Sequence, residues 1–175
     1  MESSWRTAGV LFSILIIFGC GRQQVNSYNM KITSPVFGHN QLIPPLYTCD
    51  GANASPPLIF QGVPSEAKSL VLIVDDPDAP RGDWVHWLLW NISPATTEIV
   101  AGKAPVGAIE GNTDFGRPGY GGPCPPSGIH HYHFKLFALD TMLDLPASTK
   151  KADLEAAMAT HILEQASLIG VYKRK

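Results

Sequence analysis

A period-two alternation constrains this chain more than any other feature. From Ile129 to Leu139, the residues His130, Tyr132, Phe134, Leu136 and Ala138 alternate with His131, His133, Lys135, Phe137 and Leu139, the pattern of a long strand with two different faces. Two further stretches, Ser69 to Asp75 and Val85 to Ile92, have strand length and almost no polar interruption. Such runs belong in the middle of a sheet, covered on both sides. Shorter extended segments are expected at Lys31 to Phe37 and Pro57 to Gln61, and at Leu168 to Tyr172 near the C-terminus. The 16 glycines and 15 prolines are spread through the chain, marking many turns within one β-rich domain.

One helix is expected late in the chain. Ser148 or Thr149 can cap it, and Leu154, Ala157, Met158, Ile162 and Ala166 fall on one stripe at spacings of three and four. His161 lies on that stripe and is expected to be a packed, hydrogen-bonded residue at the edge of the core rather than a ligand. Pro94 to Asp114 reads as a linking region with room for two short strands.

Three pairs of polar or aromatic residues stand at i and i+2: Asp76 and Asp78, Trp84 and His86, His130 and Tyr132. In extended backbone each pair turns its members to one face. Pro77 and Pro80 hold Asp76-Pro77-Asp78-Ala79-Pro80 out of the helical region, so the two carboxylates are presented rigidly. The stretch from Gly119 to Gly128 is too rich in Gly and Pro for regular structure and reads as a loop whose backbone approaches a ligand.

The N-terminus reads as a leader. Arg6 precedes an apolar run from Ala8 to Phe18, shorter than the ~20 residues that span a bilayer. The run ends in Ile17-Phe18-Gly19-Cys20, which resembles a bacterial lipobox. Residues 1–19 are then a lipoprotein signal peptide, Cys20 the acylated first mature residue, 20–30 a polar tether, and 31–175 a single domain. The alternative is a plain secretory signal or a frayed N-terminal anchor. The lipoprotein reading implies anchoring at a membrane, facing the periplasm or cell exterior; Gly21 rather than Asp favours the outer membrane by the rule for enteric-type bacteria. The net charge of −2 supplies no basic stripe, so no nucleic-acid partner is expected.

Asp-Pro-Asp-Ala-Pro at 76–80, His86-Trp87, Asn91-Ile92, and Gly-Gly-Pro-Cys-Pro-Pro-Ser-Gly at 121–128 before His130 and Tyr132 together resemble the phosphatidylethanolamine-binding protein family, in its bacterial Raf kinase inhibitor-like branch. Tyr47-Thr48-Cys49-Asp50-Gly51 and Ser55-Pro56-Pro57-Leu58 extend the resemblance over about residues 31 to the C-terminus. It implies a mainly β fold, a β-sandwich of antiparallel sheets with a few peripheral helices. It also implies a ligand pocket lined by Asp76, His86, His130 and Tyr132. Cys49 and Cys124 are left either as a bridged pair or as two buried thiols near the pocket loop. Cytoplasmic relatives carrying both cysteines favour the thiols. Where the family commonly has His-Arg-Tyr and a Trp, this chain has His130-His131-Tyr132 and Phe60, and any ion pair of that Arg is expected to be lost.

The pocket expected from these residues suits an anion: imidazole N–H donors on His86 and His130, a nearby carboxylate to fix their tautomer, and the Tyr132 hydroxyl. Trp84 supplies an apolar wall, Asp78 stands beside Asp76, and the Gly121 and Gly122 N–H groups form a nest. The expected function is non-catalytic binding of a phosphate or phospholipid headgroup, with no cofactor and no resident metal. A rival reading is a metal-dependent phosphoesterase using the same acids and imidazoles. It lacks a recognised ligand spacing, and no Gly-x-Ser-x-Gly elbow supplies a nucleophile. Another is a kinase or protease inhibitor, as some relatives are.

Overall fold

The computed structural model describes Met1 and residues 29–174. The rest of the expected leader, Cys20 and most of the tether lie outside the described residues. The strands are β1 (Lys31–Thr33), β2 (Gln41–Leu42), β3 (Leu58–Gln61), β4 (Ser69–Asp76), β5 (Trp84–Ile92), β6 (Glu98–Ile99), β7 (Ile109–Glu110), β8 (His130–Leu139) and β9 (Ile162–Tyr172), with one helix, α1 (Lys151–Met158), between the last two. A six-stranded sheet has the order β2-β9-β8-β4-β5-β7, and a three-stranded sheet the order β1-β3-β6. All pairings are antiparallel except that of β2 with β9. The architecture is the expected mainly β one, with a single α-helix and one 3₁₀ turn at Pro45–Tyr47 among the described residues.

The apolar run of β4 is central because each of its faces has a partner. Leu70, Leu72 and Val74 join Trp87, Leu89, Phe134 and Leu136 in the layer that also takes Ile32, Leu58, Phe60 and Ile99 from the small sheet. Val71 and Ile73 point the other way, to a second core with Leu88, Trp90, Leu154 and Met158. The helix therefore closes the outer face of the large sheet. Its placement is reinforced by Lys151, whose ammonium meets the fully buried Asp75 carboxylate at 2.5 Å; Lys135 reaches the same oxygen at 2.7 Å.

The helix is shorter than expected. It ends at Met158, and Ile162 and Ala166 lie in β9 instead. A spacing of four satisfies a strand as well as a helix, since it is twice the strand period, and from Ala166 to Tyr172 the alternation of two continues with Leu168, Gly170 and Tyr172 buried. Neither proposed cap acts as one: Lys150 is the N-cap residue and no side chain bonds there. His161 is half-exposed and pairs with Asp140 through Nδ1 at 2.8 Å.

Cys49 and Cys124 are bridged, with Cα atoms 5.4 Å apart. This corrects the reading that favoured two thiols. Closing 75 residues restricts the unfolded chain, which the chain-entropy relation values at roughly 4 kcal/mol.

Candidate functional site

Antiparallel pairing brings three strand ends together. Asp76, at the end of β4, lies opposite Trp84 at the start of β5, and Asp75 lies opposite His133 near the start of β8. A cavity of about 200 Å³ opens there, lined by Asp76, Trp84, His86, Phe115, His130 and Tyr132, with Ala79, Pro80, Cys124, Pro125 and Pro126 completing its wall.

His86 reaches this cavity through a fault in the strand. Val74 pairs with Trp87, but the next residue, Asp75, pairs with Val85, leaving His86 as an extra residue in a β-bulge. Strict alternation would put His86 on the same face as Leu88 and Trp90, against the helix. A bulge re-aims one side chain without disturbing the residues beyond it. Farther along, a second register shift falls opposite Asn91, whose φ is +55°. The Asn91 amide replaces the missing backbone rungs, donating to the Leu143 carbonyl at 2.8 Å and accepting from the Leu143 N–H at 2.9 Å.

Both imidazoles are held through Nδ1. His130 bonds Asp76 Oδ2 at 2.7 Å, and the other oxygen of Asp76 accepts the Asp78 N–H at 2.9 Å. His86 Nδ1 donates to the Gly121 carbonyl at 2.5 Å, while the Gly121 N–H returns a bond to the His86 carbonyl at 2.9 Å. Each ring thus leaves Nε2 without a protein partner, although both residues are more than nine-tenths buried. Burial pushes the His86 pKa below the ordinary histidine value, against the raising effect of its bond to Gly121. With Nδ1–H committed as a donor, neutral His86 offers a lone pair at Nε2.

Tyr132 is the least satisfied group. Its hydroxyl is cut off from water and has no partner at hydrogen-bond geometry. Burial, and then the nearby Asp76 charge, hold its pKa far above the usual phenol value, so it is a donor at any working pH. The His86 and Tyr132 rings meet edge-on at 5.1 Å, and Phe115 packs edge-on against both His86 and Trp84.

The structure brings together Asp76, Trp84, His86, His130 and Tyr132 and leaves three expected residues out. Asp78 is exposed and turns to His131, accepting from its backbone N–H at 2.8 Å and its Nδ1 at 2.7 Å. Pro77 turns the chain after Asp76, so i and i+2 do not share a face there. At residue 131, where the family's Arg is missing, His131 meets Asp78 instead. Gly121 and Gly122 form no anion nest: the Gly121 N–H is taken by the His86 carbonyl and the Gly122 N–H by Asn53 Oδ1 at 2.7 Å. They matter instead for lacking a side chain. A Cβ at Gly121 would sit 2.3 Å from the Phe115 ring, and one at Gly122 would sit 2.5 Å from Asn53 Oδ1. Phe115 was not anticipated. Its only signal in the sequence is an aromatic residue in an otherwise polar, glycine-containing loop. Among the described residues, no three of His, Cys, Asp and Glu are grouped to hold a metal ion.

A β-sandwich whose strand ends frame an Asp–His, His and Tyr cavity defines the class of protein. The profile of the phosphatidylethanolamine-binding protein family matches residues 33–173, and this chain belongs to that family. It is 46% identical over 176 residues to the UPF0098 protein PH1269 of Pyrococcus horikoshii, covering 95% of this chain and 88% of that one. It is 51% identical over 150 residues to a UPF0098 protein of Methanothermobacter thermautotrophicus, covering 83% and 99%. Among solved structures, it resembles the phosphatidylethanolamine-binding protein homologue CT736 of Chlamydia trachomatis, with a TM-score of 0.82, 42% identity, and coverage of 85% of this chain and all of that one. YbcL of E. coli, described as a member of the mammalian PEBP family, matches with a TM-score of 0.78 and 33% identity over 83% of this chain and 99% of YbcL.

Proposed function

We propose that this protein binds a small phosphate-bearing ligand, a free phosphate monoester or a phospholipid headgroup, without transforming it. The observation that carries the reading is the pair of buried histidines, each pinned at Nδ1 with Nε2 left unpartnered, that line one cavity together with Tyr132. At about 200 Å³ the cavity is smaller than the roughly 300–1,000 Å³ that holds drug-sized molecules, in keeping with a headgroup. The acylated Cys20 would keep the site at a membrane surface.

Titration calorimetry with O-phosphorylethanolamine and with inorganic phosphate tests the proposal. Binding of one equivalent is expected, lost in His130→Ala. Absence of binding by both probes, or affinity unchanged in His130→Ala, would overturn it. Turnover of a phosphate ester that disappears in His86→Ala would replace it with the hydrolytic reading. Metabolic labelling with a radioactive fatty acid, compared between the parent chain and Cys20→Ser, tests the anchor.

A further inference from the structure

We propose that the Cys49–Cys124 disulfide is a redox latch on the ligand cavity, holding one wall in its binding shape when oxidised and releasing it when a dithiol reductant opens the bridge. The inference rests on the anion-binding reading of that cavity.

The wall in question begins after Pro123. Up to that point the loop is tied down: Tyr120 donates its hydroxyl to the Tyr47 carbonyl at 3.0 Å, the Gly122 N–H bonds Asn53, and the Pro123 carbonyl accepts the Cys49 N–H at 3.1 Å. Residues 47–53 therefore act as a bracket for residues 120–123. Beyond it the fastening changes. Between Pro123 and the start of β8 at His130, the described chain makes no backbone–backbone hydrogen bond. Pro125 and Pro126 have no N–H to give. Yet Cys124, Pro125 and Pro126 all line the cavity. The covalent bond from Cys124 to the bracket is thus the main tie on this part of the wall, beside a weaker approach of the Cys124 backbone to the Tyr132 hydroxyl. The bracket is itself anchored to the end of β9, where the Tyr172 hydroxyl donates to Asp50 Oδ2 at 2.7 Å and Arg174 Nε to Asp50 Oδ1 at 3.2 Å.

Access fits the role. Cys124 is exposed and Cys49 only partly covered, and neither cysteine belongs to a hydrophobic core, although Tyr47 and Tyr120 beside them join the larger one. A thiolate of the reductant attacks Cys124 Sγ, the Cys49–Cys124 bond breaks, and Cys49 leaves as a thiolate that takes up a proton. The second thiol of the reductant then displaces Cys124, which is likewise protonated. Two electrons and two protons reach the protein, and the reductant becomes a disulfide. The structural effect is local: the Pro125–Pro126 wall loses its anchor while the sheets keep theirs.

The test is calorimetry of the purified protein with O-phosphorylethanolamine, oxidised and after treatment with a dithiol reductant, alongside a thiol count and a near-ultraviolet circular dichroism melt. Expected are a gain of two titratable thiols, a retained cooperative melt, and affinity weakened about tenfold. Cys49→Ser/Cys124→Ser should bind like the reduced protein and ignore the reductant. Unchanged affinity despite two new thiols would overturn the latch while leaving the site intact, and so would loss of the folded signal on reduction, which would make the bridge a staple of the whole fold. No binding in either redox state would remove both the latch and the site.

Discussion

Replacing Tyr132 with Phe should move stability and affinity in opposite directions. In the free protein the hydroxyl is shut off from water and, although Asp76 and the Cys124 backbone lie near it, has no partner at hydrogen-bond geometry, whereas the ring is almost completely buried among His86 and the inter-sheet core. Phe keeps the ring and removes only the stranded oxygen. The desolvation penalty of an unpaired hydroxyl is about 1–3 kcal/mol, so at the lower end Tyr132→Phe should stabilise the free protein by about 1 kcal/mol. In a domain of this size that raises the melting midpoint by about 2–4 °C. An anion that enters deeply enough to displace the lining over Tyr132 turns the hydroxyl into a donor to charge, and its loss should then weaken binding by about 1.5 kcal/mol, roughly tenfold. Differential scanning calorimetry with and without O-phosphorylethanolamine reads both effects: the variant should start higher and gain less from ligand. A variant that melts lower and binds as tightly as the parent would show that the hydroxyl already has a partner, and the account of the cavity would fail.

Other substitutions separate the two faces of β8 and the two cores. His130→Ala should weaken phosphate-ligand affinity by about 2 kcal/mol or more, since a charge-assisted bond goes, while His131→Arg, on the exposed face beside Asp78, should leave it nearly unchanged; the reverse ranking by calorimetry would refute the facing. His86 has a depressed pKa, so its contribution to stability is complete above the unfolded value of about 6.5 and is lost as pH falls through the folded one. Anion binding should favour its protonated form, so affinity should rise from pH 8 to pH 6 with proton uptake, detectable as a dependence of the binding heat on buffer ionisation; a flat profile would count against an Nε2 contact. Lys151→Met should cost about 2 kcal/mol in urea unfolding, because it removes one of two cations facing the buried Asp75 and leaves Lys135 to compensate in part. Equal stability would show that the helix owes its position to packing alone.

How much of this was readable in the chain depended on whether a pattern had one physical meaning. The apolar run at Ser69 to Asp75 could only be a covered strand, and the alternation around Tyr132 fixed which side chains share a face, so His130 and Tyr132 were expected on one side, where both line the cavity. Ile162 and Ala166 were not, because their separation from Met158 suits helix and strand equally. His86 reached its expected cavity by a route that periodicity does not encode: the extra residue in β5 shows only in the pairing with β4. Asp78 misled because the rule for i and i+2 holds inside a strand, and β4 ends at Asp76. Gly121 and Gly122 were expected to let the backbone approach a ligand, whereas what approaches them is Phe115 and Asn53, from segments that the local pattern does not connect to the loop. The bridge between Cys49 and Cys124 likewise depends on tertiary proximity.

The extra residue in β5 has a wider consequence. Because the shift of phase is absorbed between Val85 and Trp87, the side chain at position 86 is decoupled from the interlocked indoles and leucines on either side. A replacement at position 86 is therefore expected to disturb the Gly121 loop and the Phe115 and Tyr132 rings that His86 touches more than the framework of the sheet. One scaffold can in this way be tuned to different guests by editing a single letter, and a library restricted to residue 86 would be the most economical place to begin changing what this cavity accepts.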